Sequence, residues 1–146
     1  MLNETPLVRN CGQLCSAACC QGSDTEGMLL FPGEEALYEN CSFGRVLTPG
    51  YSIGPFPARL FVCKGTCERA QRPLACRLFP LFPKVRNGAV QVVMDPRARP
   101  VCPLCRSGLS GLRGSFVEAV RAASAALIQS RPALAYLEAL TDEIWL

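Results

Sequence analysis

Residues 81–95 read Leu81-Phe-Pro-Lys-Val-Arg-Asn-Gly-Ala-Val-Gln-Val-Val-Met-Asp95, and this stretch decides the fold. Two apolar-rich arms flank Asn87-Gly88, a dipeptide that readily adopts the positive φ angles of a two-residue turn. The stretch therefore predicts a short β-hairpin. Because Pro83 has no backbone N–H to donate, we expect its arm to lie at a sheet edge.

The chain that follows the hairpin has a helical pattern. Ser115 and Glu118 have the spacing of a capping box, and apolar residues recur on one helical face after them. A second helix is predicted after Ser130, because Pro132 is tolerated in a first helical turn. We therefore expect a helical C-terminal region, residues 115–146, whose two helices pack on the core.

Upstream of the hairpin, the sequence predicts short elements separated by loops. Leu60-Phe61-Val62 has the composition of a strand that leads into Cys63, and residues 28–38 suggest an extended segment, a Pro-Gly turn and a helical stretch. Residues 44–57 contain six glycines and prolines, so we expect a loop there.

Length and composition limit the architecture. The chain has 146 residues, of which 49% are hydrophobic and 18% charged, so it can bury a core and fits one domain, residues 1–146. Together with the local patterns, this predicts a small, α-rich α+β domain, stapled by metal, with a short β-hairpin and two C-terminal helices.

The ten cysteines are the strongest functional signal. Cys11, Cys15 and Cys19 recur every four residues, which would place them on one face of a helix. The pairs Cys63/Cys67 and Cys102/Cys105 have the short spacing of metal ligands. A further cysteine, Cys76, is close enough in sequence to join either pair. Such grouping favours a metal site over a disulfide framework or a set of buried thiols, the two alternatives.

The predicted compartment supports the same choice. The N-terminus lacks the apolar stretch of a secretory signal, and no window approaches about 18 consecutive apolar residues. We therefore predict a cytoplasmic protein without a membrane segment, in which thiols stay reduced. The net charge of +3 arises without a run of basic neighbours, so nucleic acid is not indicated as a partner.

The absence of histidine restricts the chemistry further. It excludes Ser-His and Cys-His nucleophile pairs and mixed Cys-His zinc sites, and no catalytic residue is assigned. A transition metal would be held mainly by thiolates, which favour zinc, copper(I) or iron–sulfur centres. Arg69, Arg72 and Arg77 are candidates to offset the negative charge of such a centre.

The cysteine groups and two further stretches resemble the YkgJ-type cysteine-cluster family over residues 11–105. The matching stretches are Cys11-Gly-Gln-Leu-Cys15-Ser-Ala-Ala-Cys19-Cys20, Leu30-Phe-Pro-Gly-Glu-Glu35, Cys63-Lys-Gly-Thr-Cys67 and Arg72-Pro-Leu-Ala-Cys76-Arg77-Leu-Phe-Pro80. That family is described as a zinc- or iron-chelating domain. The first gaps here are three residues, whereas many members have two, and this spacing is similar to the related segment of flagellin lysine methylases.

The resemblance implies metal ligation by seven cysteines, which are Cys11, Cys15, Cys19, Cys20, Cys63, Cys67 and Cys76. Cys102 and Cys105 join this set on spacing, whereas Cys41 precedes a loop and is read as a buried thiol. The predicted function is a metal-binding protein with a zinc or iron–sulfur centre in a structural or accessory role, acting with an unidentified protein partner. The alternative is an iron–sulfur redox or methyl-transfer enzyme, so enzymatic activity stays open.

Overall fold

Short strands and helices alternate along the chain in the computed structural model, which describes residues 27–63, 71–98 and 108–145. The strands are β1 (Met28–Leu29), β2 (Gly44–Leu47), β3 (Ser52–Ile53), β4 (Phe56–Pro57), β5 (Leu60–Cys63), β6 (Leu81–Arg86) and β7 (Ala89–Met94). The α-helices are α1 (Leu74–Leu78), α2 (Gly114–Leu127) and α3 (Arg131–Ile144). The fold is a small mixed α+β domain, as predicted.

The first sheet is antiparallel, with the strand order β1-β5-β2. The predicted strand that leads into Cys63 is confirmed as β5, and the Pro-Gly turn before Glu34 leads into a 3-10 helix, Glu34–Leu37. The prediction of a loop over residues 44–57 was wrong, because strands form at the beginning and at the end of this range. Gly44–Leu47 forms β2, and β3 pairs with β4 in a small separate hairpin.

Gly44 shows why a count of glycines and prolines misled the prediction. It lies opposite Cys63 in the β2/β5 pairing, where a Cβ atom would collide with the ring of Phe61 and with the carbonyl oxygen of Val62. The glycine therefore marks a close approach between strand and side chain rather than a break in the strand.

The hairpin predicted at 81–95 is confirmed as β6 and β7. Asn87 and Gly88 both have positive φ, at 53° and 76°, as a two-residue turn of this kind requires. Leu81 pairs with Met94 and Arg86 with Ala89, so the register is set from the turn. Pro83 lies in a sheet of two strands, where β6 has a strand neighbour on one side.

Both C-terminal helices are confirmed, and they pack on the hairpin. α2 contacts β6 and β7, and α3 contacts β6 and β3. Phe116 and Leu137 are completely buried between these elements. Thr141 is buried as well, and its Oγ1 accepts a hydrogen bond from the backbone N–H of Val85 at 3.1 Å, which ties α3 to β6. These elements form the main core.

The predicted capping box was wrong in its position. α2 begins at Gly114, and Arg113 is its N-cap, so Ser115 lies inside the first turn instead of preceding it. Glu118 forms an ion pair with Arg121 on the exposed side of the helix. Ser130 is the N-cap of α3 with Pro132 in the first turn, as expected. No helix within the described ranges is long and apolar enough to cross a membrane.

Candidate metal centre

A second, smaller apolar cluster lies beside the first sheet. Its buried members are Leu30, Tyr38 and Phe61, and Cys41, Phe43, Val46 and Cys63 pack against them. The ring of Tyr38 lies 4.9 Å from that of Phe61, and Phe43 meets Phe61 edge-on at 5.5 Å between centroids. We call these seven residues the Tyr38 cluster. Two of the three described cysteines, Cys41 and Cys63, belong to it.

Cys63 and Cys41 pack against the cluster from two different segments, the end of β5 and the residues before β2. Cys63 is the last residue of β5 and lies opposite Gly44, the first residue of β2. Cys41 precedes β2, and its backbone N–H donates to the carbonyl of Tyr38 at 3.3 Å. Both side chains are half-buried. The pairing of β2 with β5 thus brings two thiols to one side of the sheet.

Cys76 approaches the same tyrosine from helix α1. Burial raises the pKa of Tyr38 to about 12, and the nearby charges of Glu34, Cys76 and Cys41 add to the rise. Arg77 opposes it. The Tyr38 hydroxyl donates to the carbonyl of Gln71 at 3.1 Å, three positions before α1 begins. Cys76 and Cys41 therefore lie within electrostatic reach of one hydroxyl group.

Glu34 holds helix α1 against the 3-10 helix that carries Tyr38. Its Oε2 accepts the backbone N–H of Leu74, the first residue of α1, at 2.9 Å, and its Oε1 accepts that of Phe31 at 2.8 Å. The carboxylate thus satisfies a donor that a helix N-terminus leaves open. Burial raises the pKa of Glu34, whereas these two hydrogen bonds and the charge of Arg77 lower it.

The structure describes two of the nine predicted ligands: Cys63 packs against the Tyr38 cluster, and Cys76 lies near enough to Tyr38 to affect its pKa. The other seven lie outside the described residues; they are Cys11, Cys15, Cys19, Cys20, Cys67, Cys102 and Cys105. Within the described ranges, no three Cys, Asp or Glu side chains are grouped closely enough to hold a metal ion. A complete centre would therefore draw ligands from the remaining cysteines.

Sequence reasoning missed the part that Glu34, Tyr38 and Cys41 play in this region. The sequence includes Glu34 and Glu35 only within a stretch that resembles the cysteine-cluster family, and it predicts Cys41 as a buried thiol, whereas the structure leaves this side chain half-buried. A Pro-Gly turn followed by two carboxylates was the available signal, because a turn can direct a carboxylate at a distant helix terminus. The charge of Arg77 acts on both Glu34 and Tyr38, and its role beside a thiolate centre stays a prediction.

No protein-family model matches this chain, and no curated protein or solved structure matches it either.

Proposed function

We propose that this chain is a metal-binding protein that holds zinc or an iron–sulfur centre through cysteine thiolates, in a structural or accessory role. The observation that supports the proposal is that Cys63 of β5 packs against the Tyr38 cluster, and that Cys76 of α1 is close enough to Tyr38 for its charge to raise the pKa of that tyrosine. Soft thiolates suit zinc or iron–sulfur centres.

The proposed ligand set is the one drawn from the sequence. It comprises Cys11, Cys15, Cys19, Cys20, Cys63, Cys67, Cys76, Cys102 and Cys105. Its spacing and the resemblance to the YkgJ-type cysteine-cluster family support the set. The proposed setting is the cytosol, where these thiols stay reduced.

A structural role agrees with the small size of the Tyr38 cluster. Three of its residues are buried, whereas the main core buries residues from the hairpin and from both long helices. A cluster of this size supplies little burial energy, and a structural zinc ion can contribute about 10–16 kcal/mol in a small domain. Metal binding would therefore stabilise the smaller of the two apolar clusters that the described residues form.

The decisive experiment is analysis of zinc, iron and acid-labile sulfide in protein purified without oxygen. Zinc without sulfide supports the structural centre, and iron with stoichiometric sulfide supports the redox or methyl-transfer alternative. Protein that contains neither metal, and takes up neither after reduction, would refute the proposal. Few titratable thiols after metal removal would instead favour the disulfide framework.

Two matched variants localise the centre. Cys76→Ser removes a proposed ligand. Cys41→Ser removes a half-buried thiol of the Tyr38 cluster that is not among the proposed ligands. We expect the first to lose metal and the second to keep it. Metal removal should also lower the melting temperature of the wild type, because binding energy at a structural site contributes to folding. Unchanged melting would show that the role is not structural.

A further inference from the structure

Two side chains of one short segment bind the backbone around the start of helix α1. Glu34 begins the 3-10 helix, and its Oε2 accepts the N–H of Leu74, the first residue of α1, at 2.9 Å. Tyr38 is the C-cap of the same 3-10 helix, and its hydroxyl donates to the carbonyl oxygen of Gln71 at 3.1 Å. We call these two contacts the α1 clamp. They hold the chain on both sides of Pro73, the N-cap of α1.

Helix α1 is too short to hold its own position. It has five residues, its N-cap Pro73 provides no side-chain hydrogen bond, and so short a helix is not stable by itself. Cys76 is the third of these five residues. It follows by two positions the N–H that Glu34 binds, which is about 3 Å along a helix axis. The position of the Cys76 thiol therefore depends on where the clamp holds the start of the helix.

The clamp residues are also fixed to the sheet that contains Cys63. The ring of Tyr38 packs on that of Phe61 at 4.9 Å between centroids, and Phe61 precedes Cys63 by two positions in β5. The other carboxylate oxygen of Glu34 accepts the N–H of Phe31 at 2.8 Å, two positions after β1, which pairs with β5. The clamp thus joins α1 to β5 itself and to the segment that follows β1.

We propose that Glu34 and Tyr38 are positioning residues of the metal centre, which hold Cys76 in a fixed place relative to Cys63 before the metal binds. This inference rests on the proposed function, because it takes both cysteines as ligands. A ligand that is already in place loses less conformational freedom on binding. Loss of the clamp therefore weakens metal binding although every thiol is still present.

The experiment is a titration of Co²⁺ into the reduced, metal-free chain without oxygen, followed by the absorption of thiolate-bound cobalt. We expect Glu34→Ala to weaken Co²⁺ binding by about ten-fold, as loss of a supporting contact around a metal site does. Tyr38→Phe should weaken it by about two- to ten-fold, the effect of one hydrogen bond. Both variants should reach the wild-type spectrum at saturation, because no ligand is removed. Tyr38→Phe retains the aromatic ring on Phe61, so it tests the clamp without the loss of a buried carboxylate.

Two control variants separate positioning from a general loss of stability. Thr141→Val removes a buried hydrogen bond to Val85 in the main core, so it should lower stability and leave the Co²⁺ affinity unchanged. Tyr136→Phe removes the hydroxyl of another buried tyrosine, which has no partner among the described residues, and should also leave the affinity unchanged. Equal weakening by Thr141→Val and Glu34→Ala would overturn the inference, because affinity would then follow stability alone.

A double-mutant cycle shows whether Glu34 acts through Cys76. In the Cys76→Ser background, Glu34→Ala should change the Co²⁺ affinity by less than about two-fold, because the ligand that it positions is gone. A full ten-fold effect in that background would overturn the inference. Wild-type affinity in both Glu34→Ala and Tyr38→Phe would overturn it as well, while weaker binding by Cys76→Ser would leave the proposed function intact. Absence of Co²⁺ binding by the wild type would overturn both.

Discussion

Replacement of Glu34 by alanine would remove the hydrogen bond that joins the first residue of helix α1 to the 3-10 helix Glu34–Leu37. The carboxylate accepts the N–H groups of Phe31 and Leu74 at 2.8 and 2.9 Å, and neither N–H has another acceptor among the residues that the structure describes. Because α1 has five residues and its N-cap, Pro73, provides no side-chain hydrogen bond, the helix depends on this distant carboxylate. The substitution therefore tests whether Cys76 is held in place by Glu34.

The size of the effect follows from these two bonds. A hydrogen bond to a charged acceptor contributes about 1.5–3 kcal/mol, so two would contribute about 3–6 kcal/mol. Burial of the carboxylate offsets part of this, as the raised pKa of Glu34 indicates. We expect a net loss of about 2 kcal/mol in the free energy of unfolding, which corresponds to roughly 4–8 °C in melting temperature for a domain of this size.

The assay is urea unfolding at pH 7, with Glu35→Ala as the matched control. Glu35 is the next residue, and its carboxylate accepts only an exposed local bond from the N–H of Gly33 at 3.0 Å. The control should therefore lose less than about 0.5 kcal/mol. If Glu34→Ala were no more destabilised than Glu35→Ala, Glu34 would not anchor α1.

Three further predictions concern pH and packing. The folded pKa of Glu34 is raised above its ordinary 4.5, so the additional stability of the protonated carboxyl group is fully present below that pH and is lost as pH rises through the folded pKa; the wild type should therefore lose stability relative to Glu34→Gln in urea unfolding from pH 4.5 to 7. Gly44→Ala should destabilise by about 1–3 kcal/mol because its Cβ meets Phe61, whereas Gly114→Ala, with open space around it, should be nearly neutral in thermal unfolding. Thr141→Val should cost about 1–2 kcal/mol because it leaves the buried N–H of Val85 without its acceptor, and retention of the hydroxyl in Thr141→Ser should recover most of that loss in the same denaturation assay.

The elements that sequence predicted well are those whose signals are local. Asn87-Gly88 determines its own turn geometry, and Ser130 with Pro132 marks a helix start within a few residues. The strand Gly44–Leu47 was missed because its glycine is required by contact with Phe61, seventeen positions away in the sequence. The sequence pattern around Gly44 carries no information about its contact with Phe61, so the glycine alone suggests a break in the strand.

The candidate site shows the same limit. Spacing indicated Cys63 and Cys76 as ligands, because thiol groups close in sequence are an observable pattern. The packing of Cys63 on the same cluster as Cys41 depends on the pairing of β2 with β5, and the hydrogen bond of Glu34 to Leu74 is a contact across forty positions. Such contacts arise from the tertiary fold. A single sequence shows the residue types, but it does not show which distant residues lie in contact.

Leu30 and Phe31 show how the described structure separates its two regions. Leu30 is buried in the Tyr38 cluster, whereas the next residue, Phe31, is buried in the main core and contacts the ring of Tyr136 at 5.2 Å. Neighbouring side chains in extended backbone point to opposite sides, so this short stretch contributes to both clusters at once. Glu34 lies between them, since its charge acts on both Tyr38 and Tyr136. A metal centre at the Tyr38 cluster would therefore lie apart from the main core, and the hydrogen bonds of Glu34 to Phe31 and Leu74 would join the two regions.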